Sequence, residues 1–388
     1  MRNLKIWTSL IVVLALPVIL FLLLPAKAQV PKTLFIGIDG VQLAHYERLG
    51  ANINLKRLHF NKAYAGGITG KPSQQATSSG PGWTTLLTGV WANKHGVTSN
   101  DTSLRLNPEF PSLFKRLREA APTAHLASIV HWAPINTAFL LEDVKGNDVT
   151  ETQTSDAQVV SRTLDILNNT DADFTFIQLD EPDQIGHDSC FGQAYNDALQ
   201  VVDNQLGQLL DAVEARAQSK PEEDWLVIVS TDHGRDTLGC GHGAQSEQEK
   251  TLFIASNKAM NAELMNPSAP EANPGPNNLY GYANQASLAP TVLRHMGIAL
   301  QPSWRLDGTP LLGETGVRKA RADESSARLL WHSQDSGQVI IDKNGRRVAE
   351  LAAAAQQWRD PEGMNGVNDY TLVLDRTPAA VRTAAPTE

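Results

Sequence analysis

The chain has 388 residues, 41% of them hydrophobic and 19% charged, with a net charge of -9 at pH 7. That composition describes a globular protein long enough for one large domain and a small one. The acidic balance excludes a surface built to bind nucleic acid, which needs an excess of Lys and Arg.

Residues 1–28 differ in kind from the rest. Arg2 and Lys5 precede an apolar run from Ile6 to Leu24, broken by Trp7-Thr8-Ser9 and Pro17, and Ala26-Lys27-Ala28 reads as an A-x-A cleavage site before Gln29. This is the pattern of an export signal, and the run is also long enough for a retained membrane anchor. In both cases the body of the protein, residues 29–388, is expected outside the cytoplasm, periplasmic or secreted. The two cysteines, Cys190 and Cys240, then sit in a compartment where a disulfide persists.

Thr33–Ile38 is a short apolar β-prone run that ends in Asp39-Gly40. Similar runs recur at His125–Val130, Phe174–Leu179 and Trp225–Val229. Between them lie helical periods: Pro111–Ala120, Asp156–Leu167, and most clearly 193–217, where Tyr195, Leu199, Val202, Leu206, Leu209 and Val213 recur at spacings of three and four. Alternating strands and helices predict an α/β fold, a doubly wound and largely parallel sheet with helices on both faces. Ligands of such sheets bind beyond the carboxyl ends of the strands. Asp39, the stretch Asp180 to His187, and Asp232-His233 all follow strand ends, so they are expected on one rim. Residues 261–280, rich in Asn and Pro, read as an irregular surface loop, and Ala289–Met296 as a last helix. From 316 to 388 the pattern changes to short β-like runs, Gln338–Asp342 and Tyr370–Leu374, with a turn at Lys343-Asn344-Gly345. A catalytic part over 29–315 with a small β-rich extension is therefore expected.

The stretch Ser78-Ser79-Gly80-Pro81-Gly82-Trp83 reads as the entrance to a helix, with Pro81 suited to a first helical position and Gly89 ending it. Ser78 and Ser79 fall at its N-terminus, where free backbone N–H groups and the helix dipole favour an anion. Three carboxylates and three imidazoles complete the chemistry: Asp39, Asp183, His187, Asp232, His233 and His242. Carboxylate with imidazole suits Zn²⁺ or another divalent first-row ion, and six ligands divide into two sites of three, each leaving room for water or substrate.

Ile36-Gly37-Ile38-Asp39-Gly40, Ser79-Gly80-Pro81-Gly82 with Leu87-Thr88-Gly89 and Lys94-His95-Gly96-Val97, Asp183-x-x-Gly186-His187, Asp232-His233-Gly234 and Gly241-His242-Gly243 together resemble the type I phosphodiesterase/nucleotide pyrophosphatase branch of the alkaline phosphatase superfamily. The resemblance extends over roughly residues 33–312 and implies an alkaline-phosphatase-like fold with two Zn²⁺. Asp183, His187 and His242 would hold one ion. Asp39, Asp232 and His233 would hold the other, with the Ser79 oxygen in its ligand set. Ser79, two residues before Pro81, would be the nucleophile, with Ser78 as the rival in register. A covalent phospho-seryl intermediate would form and be hydrolysed by water.

Asn100, 21 residues after Ser79, matches the family's uncharged donor to a phosphoryl oxygen. No Arg lies between Ser79 and Asn100, Lys94 reads as a surface turn residue, and Lys71 lies in a Gly-rich loop. A neutral amide suits the single charge of a diester or phosphonate better than a monoester dianion, which calls for an added cation. Trp at position 83 disfavours a sulfatase, whose formylglycine motif has Arg there. A phosphomonoesterase of the same superfamily and an inert exported binding protein acting through its C-terminal part are the alternatives. The substrate expected is a small-molecule phosphoester. If His187 and His242 share one zinc, Cys190 and Cys240 are carried into one neighbourhood and a disulfide becomes plausible.

Overall fold

The computed structural model describes residues 29–50, 53–267 and 273–383. The export signal expected over 1–28 lies outside them, and no helix among the described residues is long and apolar enough to cross a membrane.

Eight strands form the main sheet: β1 (Val30–Ile38), β2 (His59–Tyr64), β3 (Leu126–Val130), β4 (Val149–Thr152), β5 (Phe174–Leu179), β6 (Glu223–Ser230), β7 (Thr251–Ser256) and β8 (Ala283–Asn284). Their spatial order is β4-β3-β5-β1-β6-β7-β2-β8. β1 lies at the centre, parallel to β5 and β6. β7 runs antiparallel to both β6 and β2, so the sheet is mixed and mostly parallel.

Side-chain alternation along the central strands builds two cores, because successive residues of a strand point to opposite faces. Phe35, Phe176, Leu226 and Ile228 pack on one face with Leu86 and Leu87 of the Ser79–Thr88 helix and Phe114 of the Leu113–Ala120 helix. Leu34, Ile36, Ile177, Val227 and Val229 pack on the other with Val159 of the Asp156–Asn169 helix and Leu199, Leu206 and Leu209 of the Gln193–Ser219 helix. The doubly wound class expected from the sequence is the one observed.

Residues 261–280 depart from the expected irregular loop. Ala262–Met265 is a helical turn capped by the Asn261 side chain, and Pro276–Gly281 is a 3₁₀ turn that buries Leu279 and Tyr280. Asn and Pro served here as caps and turn starts. Lys94 is likewise not a free surface residue, since its Nζ bonds Asp307 Oδ1 at 2.5 Å and the Arg305 carbonyl at 2.7 Å.

The C-terminal strands form a three-stranded and a four-stranded antiparallel sheet. Val339 and Ile341 alternate inward from Gln338–Lys343 and join Leu329, Trp331, Tyr370 and Leu372 in a separate core. The hairpin turn predicted at Asn344-Gly345 has φ of 50° and 79°, the left-handed pair that a two-residue turn of the I′ type requires. Buried ion pairs from Arg318 and Lys319 to Glu263, at 2.5 and 3.0 Å, fasten this part to the main sheet's surroundings.

Candidate metal centre and nucleophile

β1 delivers Asp39 from its carboxyl end. Gly37, two residues earlier, leaves the space that Trp83 fills: a Cβ there would stand 2.4 Å from the indole ring. That close approach brings Trp83 Nε1 to 2.9 Å from Asp39 Oδ2, and Gln178 Nε2 on β5 reaches the same oxygen at 3.1 Å. Asp39 Oδ1 is buried with no hydrogen-bond partner.

β6 delivers Asp232 and His233. Asp232 Oδ1 accepts from the Gly40 N–H at 3.3 Å, and its Oδ2 is again buried and unpaired. His233 Nε2 lies 3.4 Å from Asp39 Oδ1 and 3.2 Å from Asp232 Oδ2. β5 leads into the Glu181–Ser189 helix, on which Asp183 and His187 are four apart and therefore share one face. His242 arrives from the loop after β6, with its Nε2 3.0 Å from His187 Nε2.

Each of the three imidazoles donates Nδ1–H to a backbone carbonyl: His187 to Cys240 at 3.1 Å, His233 to Gly234 at 2.9 Å and His242 to Thr77 at 3.0 Å. A carbonyl can only accept, so in the neutral ring the proton is assigned to Nδ1 and Nε2 is left as a lone pair. Two lone pairs 3.0 Å apart cannot bond each other. Together with the Asp183 carboxylate they fit a divalent cation, and the same holds for the two orphaned oxygens facing His233 Nε2. The donor atoms of each triplet lie within 4.8 Å of one another.

The electrostatics agree with that fit. Burial, and after it the mutual repulsion of the carboxylates, pushes Asp39 and Asp232 well above the usual carboxylate range. Burial also holds His233 and His242 below the ordinary imidazole value, so both rings are neutral and able to ligate. Burial opposes ionisation of Asp183, but the hydrogen bond to His187 and the adjacent Arg235 guanidinium favour the carboxylate, and the carboxyl is held low. His187 is raised chiefly by its hydrogen bond to Asp183, made through Nε2 at 3.2 Å; a bound cation would take the place of that Nε2 proton.

The two triplets are adjacent, since the rings of His233 and His242 stack with centroids 3.8 Å apart. Ser79 is buried as the first residue of its helix, with Oγ 3.4 Å from His233 Nε2. Ser78 occupies the N-cap and makes no side-chain capping bond. Pro81 is thus the third helical residue rather than the first, which costs nothing because the first turn's N–H groups have no intrahelical partner. Asn100 Oδ1 accepts from the Gly80 N–H at 2.7 Å, fixing the amide beside Ser79 with its NH₂ as the remaining donor. All eight site residues expected from the sequence are therefore brought to one rim of the sheet.

Arg235 belongs to this cluster as well. Its guanidinium is fully buried, bonds Asp183 Oδ1 through Nη1 and the Gly239 carbonyl through Nε at 2.7 Å, and leaves Nη2 without a partner. Gly186 makes room for it, since a Cβ there would lie 2.4 Å from the guanidinium carbon. The signals were present in Gly186 and in an Arg directly after Asp232-His233-Gly234. Likewise, Gln178 was a lone amide inside an apolar strand.

Cys190 and Cys240 form a disulfide. It joins the end of the helix carrying His187 to the loop carrying His242, closing a separation of 50 residues. The Cys190→Ser/Cys240→Ser variant is expected to lose about 4 kcal/mol of stability by loop entropy. It should also release metal from Asp183, His187 and His242 before the other triplet. Urea unfolding and metal content after dialysis measure the two effects; equal retention at both triplets would contradict the link between disulfide and site.

Residues 116–246 match the family model of the metalloenzyme superfamily. The match covers about a third of the chain. The matched segment holds five of the six candidate ligands, all but Asp39. No curated protein matches the chain. Among solved structures it is similar to murine ectonucleotide pyrophosphatase/phosphodiesterase 5, at 14% identity and a TM-score of 0.49 over 70% of this chain and 96% of that one. It is also similar to the phosphonate monoester hydrolase of Agrobacterium radiobacter, at 13% identity and 0.48 over 91% and 89%. A third is Ps i-CgsB in complex with k-i-k-neocarrahexaose, at 14% and 0.49 over 80% and 84%.

Proposed function

We propose that the protein is an exported hydrolase that cleaves phosphate diesters or related phosphonate esters through a phospho-seryl intermediate. The observation that carries this reading is the position of Ser79 Oγ, at a helix entrance and 3.4 Å from His233 Nε2 within the double triplet. Asp39, Asp232 and His233 would hold one divalent ion and Asp183, His187 and His242 the other. Zinc is the ion that the mixed carboxylate and imidazole set suits, and the pair would supply charge stabilisation on both sides of an in-line displacement.

The chain's own groups do the rest. Ser79 presents its oxygen to phosphorus, and the backbone N–H groups at the helix start favour the anion there. Gly80 N–H is already bonded to Asn100 Oδ1, so the Asn100 NH₂ takes its place as the donor to a nonbridging oxygen. The charge of Arg235 is balanced by its ion pair with Asp183, so it is not an added cation for a dianion. A singly charged diester therefore matches the site better than a monoester. The disulfide fits an oxidising compartment and supports export.

Hydrolysis of bis-p-nitrophenyl phosphate, compared with p-nitrophenyl phosphate and p-nitrophenyl sulfate, tests the reading. Preference for the diester is expected, and a faster sulfate or monoester would overturn it. Asn100→Ala is expected to lower diester turnover about 10²-fold with metal content unchanged, as for loss of one donor to developing charge. Parallel loss of metal and turnover would make Asn100 a structural residue.

A further inference from the structure

With Ser79 read as the nucleophile, its approach to His233 puts the Asp39, Asp232 and His233 triplet on the nucleophile's side and would leave Asp183, His187 and His242 on the side of the leaving group. A cavity of about 450 Å³ opens on the loop that carries His242 of that second triplet. Its wall includes Gly243, next in the chain to His242, and Thr98, two residues before Asn100. Four side-chain amides complete its polar lining: Gln74, Gln75, Asn93 and Gln245. No charged side chain of the described residues lines it.

Two of the amides are spent on holding the wall. Gln245 Nε2 donates to the Gln75 carbonyl at 2.6 Å, and its Oε1 accepts from Lys250 Nζ at 2.8 Å. Gln75 Oε1 accepts from Thr85 Oγ1 at 3.0 Å and the Ala92 N–H at 2.8 Å. Lys250 is fully buried and gives its remaining bonds to the carbonyls of Gly66 and Gly67, at 3.2 and 2.6 Å. Its charge organises the wall and is not presented to the cavity. Asn93 and Thr98 are exposed and offer an amide and a hydroxyl to a ligand.

We propose that this cavity receives the leaving alcohol and selects an uncharged, hydroxyl-bearing group, a polyol or sugar, over an anionic group such as pyrophosphate. The inference rests on the reading of Ser79 as nucleophile. Amides both donate and accept, so they exchange hydrogen bonds with hydroxyls one for one, as water does. Pyrophosphate would bring charge into a lining with no Lys or Arg to receive it. In the step itself Ser79 Oγ forms a bond to phosphorus while the bond from phosphorus to the alcohol oxygen breaks. The electron pair leaves with that oxygen, which gains the proton the serine gives up. Water then cleaves the phospho-seryl bond and restores the hydroxyl.

The test compares diglyceryl phosphate, ATP and bis-p-nitrophenyl phosphate on the purified protein and on an Asn93→Leu/Thr98→Val variant. Wild type is expected to favour diglyceryl phosphate over ATP in kcat/KM by about tenfold or more, the worth of one or two hydrogen bonds. In the variant the ratio of diglyceryl phosphate to bis-p-nitrophenyl phosphate should fall by a similar factor. Equal use of ATP, or an unchanged ratio in the variant, overturns the proposal. Absence of turnover on every diester overturns the diester reading instead. The cavity is then read on monoesters, where glycerol 3-phosphate must exceed inorganic pyrophosphate for the proposal to stand.

Discussion

Ser79→Ala is expected to lower diester turnover by about 10⁴-fold to 10⁶-fold, the scale seen when a covalent nucleophile is removed and only binding and charge stabilisation remain. Metal content should stay at the wild-type level, because each triplet retains its three side-chain ligands. The substitution removes one oxygen at a buried position and leaves the N-cap, Ser78, in place, so the helix itself should persist. Single-turnover kinetics with elemental analysis of the same sample measures both quantities. Activity within tenfold of wild type would transfer the role to Ser78 or to direct attack by water.

Arg235→Met has its largest effect on the metal-free protein. Asp183 and Arg235 form an almost fully buried ion pair, with side chains 11% and 0% exposed. Removing one partner of such a pair leaves an uncompensated buried charge, which costs about 3–5 kcal/mol. Methionine fills much of the vacated volume, so the loss should be electrostatic more than steric. A divalent cation on Asp183 supplies the missing positive charge. The variant should therefore unfold at much lower urea than wild type in chelator, and the gap should narrow when zinc is added. Equal destabilisation in both conditions would make Arg235 a packing residue with no part in the charge balance of the site.

How far the sequence reveals the molecule follows from where each signal is stored. β1, β3, β5 and β6 are buried on both faces over most of their length, so they appear as mostly apolar runs. β2, His-Phe-Asn-Lys-Ala-Tyr, is half exposed and carries no such run, and β4 alternates at the sheet edge. The reversal of β7 is invisible because strand direction is set by its partners and not by its own residues. The six candidate ligands are legible because each follows the end of a strand or lies between glycines. Arg235 is not, since its role depends on the gap that Gly186 leaves in a helix packed against it. Lys94 misleads for a similar reason: its partner Asp307 lies more than two hundred residues away in sequence.

Metal content joined to turnover tests the central claim most directly. Purified protein should contain two equivalents of a divalent first-row metal per chain. Chelation should remove both together with hydrolysis of bis-p-nitrophenyl phosphate, and zinc should restore both in wild type while restoring metal alone in Ser79→Ala. Undiminished hydrolysis by protein shown to carry no metal would contradict the account.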